Sequence, residues 1–252
     1  MSNAKVVGVM SFKGGVGKTT CTANIAASIA AMEKKVLAVD SNFSSPNLAL
    51  NFGLINPENT LSEVLSGEIH VRQAIHTHYS GVNILPSPQR YSRMDLSSFK
   101  KNIDLLRKAY DYILLDCSPT INDELMIPLS ACDSVILVST PDYPTLLSTM
   151  LAAELVKEKE IPIHGLILNR KKGKKYEINE AEIEEATGVK VIGTLPEDSK
   201  VLEASYKLMP ISVYAKNSPI SREFKKIAAK LMNVSYKEIG FLDKLGSFIF
   251  RQ

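Results

Sequence analysis

Short apolar runs alternate along the chain with longer stretches whose apolar residues recur at helical spacing. The runs Val6–Ser11, Val36–Asp40, Val82–Pro86, Tyr112–Asp116, Val135–Thr140, Gly165–Asn169 and Val189–Leu195 predict strands. Several are apolar at nearly every position, as strands covered on both faces are. The helical pattern predicts helices near Thr20–Met32, Leu96–Tyr110, Tyr143–Lys159, Ile178–Ala186, Lys200–Leu208 and Pro219–Met232. Ser218 stands ready to cap the last of these, with Pro219 in its first turn. Thr60-Leu61-Ser62-Glu63 has capping-box spacing and predicts one more short helix. The alternation defines an α/β fold, a doubly wound and mostly parallel sheet with helices on both faces. Ligands of such sheets lie beyond the carboxyl ends of the strands.

Composition narrows the function. A chain of 252 residues, 45% hydrophobic and 23% charged, suits one large soluble domain. Thirty basic against 27 acidic residues leave a charge of +3, which excludes a strongly basic nucleic-acid coat. No apolar run approaches the ~20 residues of a membrane span, and the N-terminus lacks a signal-peptide pattern. Cys21, Cys117 and Cys132 lie far apart, which argues for reduced thiols in a cytosolic compartment and against a thiolate metal site. His76-Thr77-His78 has alternating spacing that could bind a metal, but surface loop histidines are more common, so no role is assigned to it.

Chemistry is expected first after the leading strand, at Lys13-Gly14-Gly15-Val16-Gly17-Lys18-Thr19-Thr20. The common phosphate-loop expression GxxxxGK[ST] fails by one residue, because Phe12 stands at its first glycine. The physics survives: the glycines let backbone N–H groups converge on phosphate oxygens. Lys18 supplies charge to the β- and γ-phosphates, the Thr19 hydroxyl is a Mg²⁺ ligand, and Thr20 opens a helix whose positive end faces the anion. Two further apolar strands end in carboxylates, Asp40 and Asp116, at the edge where such a cation would sit.

KGGVGKTT resembles the deviant Walker A motif of the MinD/ParA family of ATPases. The resemblance runs from about Val6 to Met232 and is closest to the MinD branch. It implies ATP and ADP as ligands with Mg²⁺, and an ATP-sandwich homodimer in which Lys13 reaches the partner's phosphates. It makes Asp116 the Walker B aspartate and Asp40 the first aspartate of the A′ motif. Many members carry a second aspartate two residues on; this chain reads Asp40-Ser41-Asn42. Asn42 can bond a water but cannot take its proton, so slow hydrolysis is expected. Asn169, in Leu168-Asn169-Arg170, is expected at the adenine edge, although a turn asparagine is the plain alternative. Thr194-Leu195-Pro196-Glu197-Asp198 resembles the family loop that flanks base and ribose, which adds Pro196, Glu197 and Asp198 as nucleotide contacts. Iron–sulfur scaffold and nitrogenase-type relatives use paired cysteines that are missing here; flagellar-placement relatives stay open.

Residues 1–235 are read as the ATPase domain and 236–252 as an amphipathic tail. Phe241, Leu242, Leu245, Phe248 and Ile249 fall on one helical face. A helix of about 14 residues spans only ~21 Å, short of a ~30 Å hydrocarbon layer but able to lie in its interface. One tail binds weakly; two on a dimer bind through avidity. The expected partners are a second copy of the chain, a lipid surface on the cytoplasmic face of the cell membrane and an unnamed protein. DNA contact through Arg170-Lys171-Lys172-Gly173-Lys174-Lys175 is the competing reading. A phosphate-transferring enzyme with a small acceptor is the third.

Overall fold

The computed structural model describes residues 3–88 and 94–236. The predicted tail face, Phe241, Leu242, Leu245, Phe248 and Ile249, lies outside the described residues.

The chain opens with β1 (Lys5–Met10), a glycine-rich turn, α1 (Lys18–Ala30) and β2 (Val36–Ser41). After a 3₁₀ turn come α2 (Leu61–Leu65), β3 (His76–Thr77), β4 (Val82–Leu85), α3 (Phe99–Leu106) and β5 (Tyr112–Cys117). The second half runs α4 (Asp123–Ser130), β6 (Ser134–Ser139), α5 (Tyr143–Glu158), β7 (Ile163–Lys171), α6 (Glu180–Thr187) and β8 (Val191–Pro196). It closes with α7 (Ser199–Tyr206), α8 (Ile211–Tyr214) and α9 (Pro219–Leu231).

Among the described residues one sheet holds eight strands in the order β3-β4-β2-β5-β1-β6-β7-β8. All neighbours are parallel except β3 and β4, a short antiparallel edge. From β1 the chain first winds toward β2 and β4, then returns through β5 and winds outward through β6, β7 and β8. The turn after β1 therefore lies where the winding diverges, at the sheet's carboxyl edge.

Alternation splits each apolar strand between two cores. Val6, Met10, Leu37, Leu115 and Leu137 pack with Phe99, Ile103 and Leu125 on one face. Val7, Val9, Ala38, Leu114 and Ile136 pack with Ile25 of α1 and Phe224 and Ile227 of α9 on the other. Phe224 and Ile227 are fully buried, worth about 1.5–3 kcal/mol each by apolar transfer. Gly193 is required by this packing, since a Cβ there would meet Ile227 at 2.4 Å.

The predicted caps form. Thr60 and Glu63 close a reciprocal capping box, and Ser218 accepts from Ser221 N. Helix α1 begins two residues earlier than its apolar pattern, because Gly17 takes the left-handed conformation at its N-cap. Strand β7 runs longer than Gly165–Asn169, to Lys171. Helix α4 lies where no element was expected: Asn122 caps it, and Pro128 sits inside it.

Candidate functional site

The phosphate-loop residues join β1 to α1 by a tight turn. Gly15 and Gly17 have φ of 77° and 101°, a region that side chains disfavour. Gly17 is doubly constrained, since a Cβ would lie 2.3 Å from Asn169 Nδ2. The long helices α5 and α9 begin on side-chain caps, from Asp142 and Ser218. Helix α1 has no side-chain cap, so its first N–H groups face the turn unbonded by any cap residue. Such an end suits a phosphate. Lys18 folds back beneath the turn, 6% exposed, with Nζ 3.4 Å from the Lys13 carbonyl oxygen. Burial lowers its pKa, and the Asp116 carboxylate works the other way. Thr19 and Thr20 follow, half-buried.

Asp40 and Asp116 are direct cross-strand partners on β2 and β5. Both follow residues that alternate onto the α1 face, and each is 1% exposed. Burial pushes the pKa of both upward, and Asp116 adds to the rise at Asp40. Their hydrogen bonding differs. Asp40 accepts from Asn42 N (3.2 Å) on Oδ1 and from Leu48 N (2.9 Å) on Oδ2, so it fastens the loop after β2. Asp116 has Thr19, Lys18 and Thr22 near enough to restrain its pKa. Yet neither of its oxygens has a hydrogen bond of good geometry among the described residues. Asn42 donates Nδ2 to the Ser45 carbonyl (2.9 Å), while its Oδ1 is likewise unpartnered. Ser44 N donates to Glu124 Oε2 (3.2 Å), which joins this loop to α4.

These buried oxygens lack a well-formed hydrogen bond among the described residues, and a hard, hydrated cation supplies what they lack. They fit Mg²⁺, with Thr19 beside Asp116. Asp40 fits less directly, because each of its oxygens already accepts a backbone N–H. Among the described residues no group of three His, Cys, Asp or Glu side chains could hold a metal unaided. A cation completed by water and phosphate needs none.

At the ends of β7 and β8 the predicted base contacts are engaged with protein. Asn169 donates Nδ2 to the Val16 carbonyl at 2.7 Å, bracing the phosphate loop from below. The β7–β8 register slips between Leu168 and Lys171, and Arg170 takes φ 57° there, which turns Asn169 inward. Pro196 ends β8. Glu197 pairs with Lys172 at 3.3 Å, and Asp198 caps α7 by accepting from Lys200 N at 2.9 Å.

Lys13 turns toward α5, with Nζ 2.7 Å from Thr145 Oγ1 and 3.2 Å from Asp142 Oδ1. It lines a cleft of about 670 Å³ with Tyr143, Arg170, Lys172, Tyr176 and Glu197. Asp142, Thr145 and Glu124 escaped the sequence reading. Asp142 ahead of Tyr143-Pro144 has a cap pattern, but nothing local links it to a lysine 129 residues away.

A glycine-rich turn after the first strand, at the diverging edge of a parallel sheet, defines the class of a P-loop NTPase. A family model described as an AAA domain matches residues 4–159, and a second of the same description matches 115–205. An uncharacterized ATP-binding protein of Methanocaldococcus jannaschii is 34% identical over 91% of this chain and 88% of its own. The septum site-determining protein MinD of Synechocystis is 29% identical over 95% of this chain and 92% of its own. The structure of MinD from Pyrococcus horikoshii complexed with Mg-ADP superposes with a TM-score of 0.86 at 28% identity, covering 99% of this chain and all of that one. The chain belongs to the MinD/ParA family of P-loop ATPases.

Proposed function

We propose that the chain is an ATP-dependent switch of the MinD kind. It dimerises around ATP and Mg²⁺, hydrolyses the nucleotide slowly and positions protein partners at a membrane surface. The observation that carries this is the uncapped start of α1, with Lys18 buried beneath the turn and facing Asp116. Backbone N–H groups of Gly14 to Gly17, with Lys18, Thr19 and Thr20, take the phosphates. Asp116 and Thr19 order the cation, whose charge offsets that developing on the γ-phosphate. Asp40 holds the loop that carries Asn42. Asn42 orients water without accepting its proton, so turnover is slow. Asn169, Pro196, Glu197 and Asp198 frame the base. Lys13 leaves Asp142 and Thr145 to reach the partner's phosphates.

The end of α9 supports control by dimerisation. Lys230 Nζ donates to the Ile192 carbonyl at the start of β8, so α9 ends at the sheet edge opposite the phosphate loop. A nucleotide at the loop is therefore remote from the end of α9, and it acts by bringing two chains together. No described helix is long and apolar enough to cross a membrane.

Liposome co-sedimentation in ATP and in ADP, with the full chain and with one ending after Ser235, tests the reading. Lipid binding only with ATP and only with the tail is expected. Lys13→Ala should retain nucleotide binding yet lose ATP-dependent dimerisation by light scattering; an undiminished dimer refutes its role. Exposed Arg170, Lys172, Lys174 and Lys175 favour the alternative of a DNA-recruiting ATPase. Salt-sensitive DNA binding by the ATP form, without lipid binding, would select it.

A further inference from the structure

The two residues that flank Ser41 divide their labour in a way the sequence motif does not reveal. Asp40, the carboxylate, already accepts one backbone N–H on each oxygen, from Asn42 and from Leu48. Asn42, the amide, is nine-tenths buried and has an oxygen with no partner among the described residues. Its orientation is fixed, because turning the amide over would set Oδ1 against the Ser45 carbonyl oxygen, where Nδ2 now donates at 2.9 Å. Among the described residues the only other buried carboxylate or amide oxygens left bare are the two of Asp116. Asp116 lies one residue from the end of the neighbouring strand, one register step before the pair Ser41 and Cys117. Asn42 follows directly, and its N–H touches Asp40 on the face that Asp116 shares.

We infer that Asn42 Oδ1 and Asp116, rather than Asp40 and Asp116, form the outer shell of the cation that accompanies the nucleotide. Asn42 accepts a hydrogen bond from cation-bound water, while its Nδ2 keeps the 42–45 turn closed. Asp40 is a positioning residue that acts through the loop. Groups that hold metal-bound ligands from outside are typically worth roughly 10–100-fold in metal affinity. This inference rests on the proposed binding of a magnesium nucleotide at the turn.

Two substitutions separate the roles of the amide. Asn42→Ala removes both acceptor and donor. Asn42→Asp keeps an acceptor of nearly the same shape, adds charge and removes the donor. The readout is the affinity of Mn²⁺ for the protein–ADP complex, followed by the loss of the free-ion electron paramagnetic resonance signal, on the full chain. Asn42→Ala should weaken Mn²⁺ roughly tenfold, whereas Asn42→Asp should hold it at least as tightly as the native chain. Equal weakening in both variants would assign Asn42 to the loop alone and overturn the inference. Unchanged affinity in Asn42→Ala would overturn it as well. A native chain that binds ADP without drawing in Mn²⁺ would instead remove the reading of the site on which the inference stands.

Discussion

The two halves of the nucleotide edge are built on different terms. At the ends of β1, β2 and β5, polar groups are buried and incomplete: Asp116 and Asn42 have bare oxygens, Lys18 is desolvated, and α1 starts without a cap. At the ends of β7 and β8 the polar groups are complete: Asn169 holds Val16, Glu197 holds Lys172, and Asp198 caps α7. A buried polar group without a partner costs free energy that a ligand can recover, whereas a satisfied one must break a bond to serve a ligand. Binding energy should therefore concentrate in the first half, and the second should act mainly by holding the first in shape.

The sharpest test of that contrast is Lys18→Ala. Each charge-assisted contact to a phosphate is worth about 1.5–3 kcal/mol, so losing the ammonium should weaken ATP by roughly 100-fold or more in calorimetric titration. A loss of only a few-fold would move the weight of binding to the second half.

Gly17→Ala attacks the junction of the halves. The substitution forces a side chain into φ 101° and drives a methyl toward Asn169 Nδ2. Left-handed backbone alone costs roughly 1–2 kcal/mol, and the collision adds to it, so thermal unfolding should occur several degrees lower. An unchanged melting temperature would show that the turn relaxes freely.

The asymmetry also explains what the sequence disclosed. KGGVGKTT, the apolar strands and the caps at Thr60 and Ser218 are local patterns, each legible within a few residues. The doubly wound sheet follows from their alternation. The pairing of Asp40 with Asp116 is not local: β2 and β5 are neighbours only because the chain returns between β2 and β1. Nor can a motif show which oxygens are occupied, so Asp40 and Asp116 read alike until their hydrogen bonds are counted. Helix α4 was hidden by its brevity and by Pro128, which removes one of its few backbone donors. The antiparallel β3, two residues long, has no period to read. Asn169 was legible as a strand-end amide, but its contact with Val16 crosses 153 residues.

That contact supplies a smaller effect. Asn169→Ala leaves the buried Val16 carbonyl without its donor, a loss of about 1–2 kcal/mol that should loosen the phosphate loop. If the amide acts mainly as a brace, affinities for ATP and GTP should fall together, by roughly tenfold. A fall confined to ATP would restore Asn169 to base recognition and break the contrast at its weakest point.

The smallest effects should come from the acidic pair after β8. Asp198 satisfies an N–H at the start of α7, and removing such a cap costs about 1 kcal/mol. Glu197 meets Lys172 where both side chains are about half exposed, and exposed pairs contribute roughly 0–1 kcal/mol. Asp198→Ala should therefore lower the melting temperature by a few degrees and Glu197→Ala hardly at all, measured side by side without nucleotide. Repeating the scans with saturating Mg-ADP turns the pair into a probe of ligand contact. If both residues serve only the protein, the stabilisation by nucleotide is the same in each variant as in the native chain, because it depends on affinity alone. A smaller nucleotide-induced rise in Glu197→Ala would mean that its carboxylate leaves Lys172 for the ligand, and the second half would then contribute binding energy of its own.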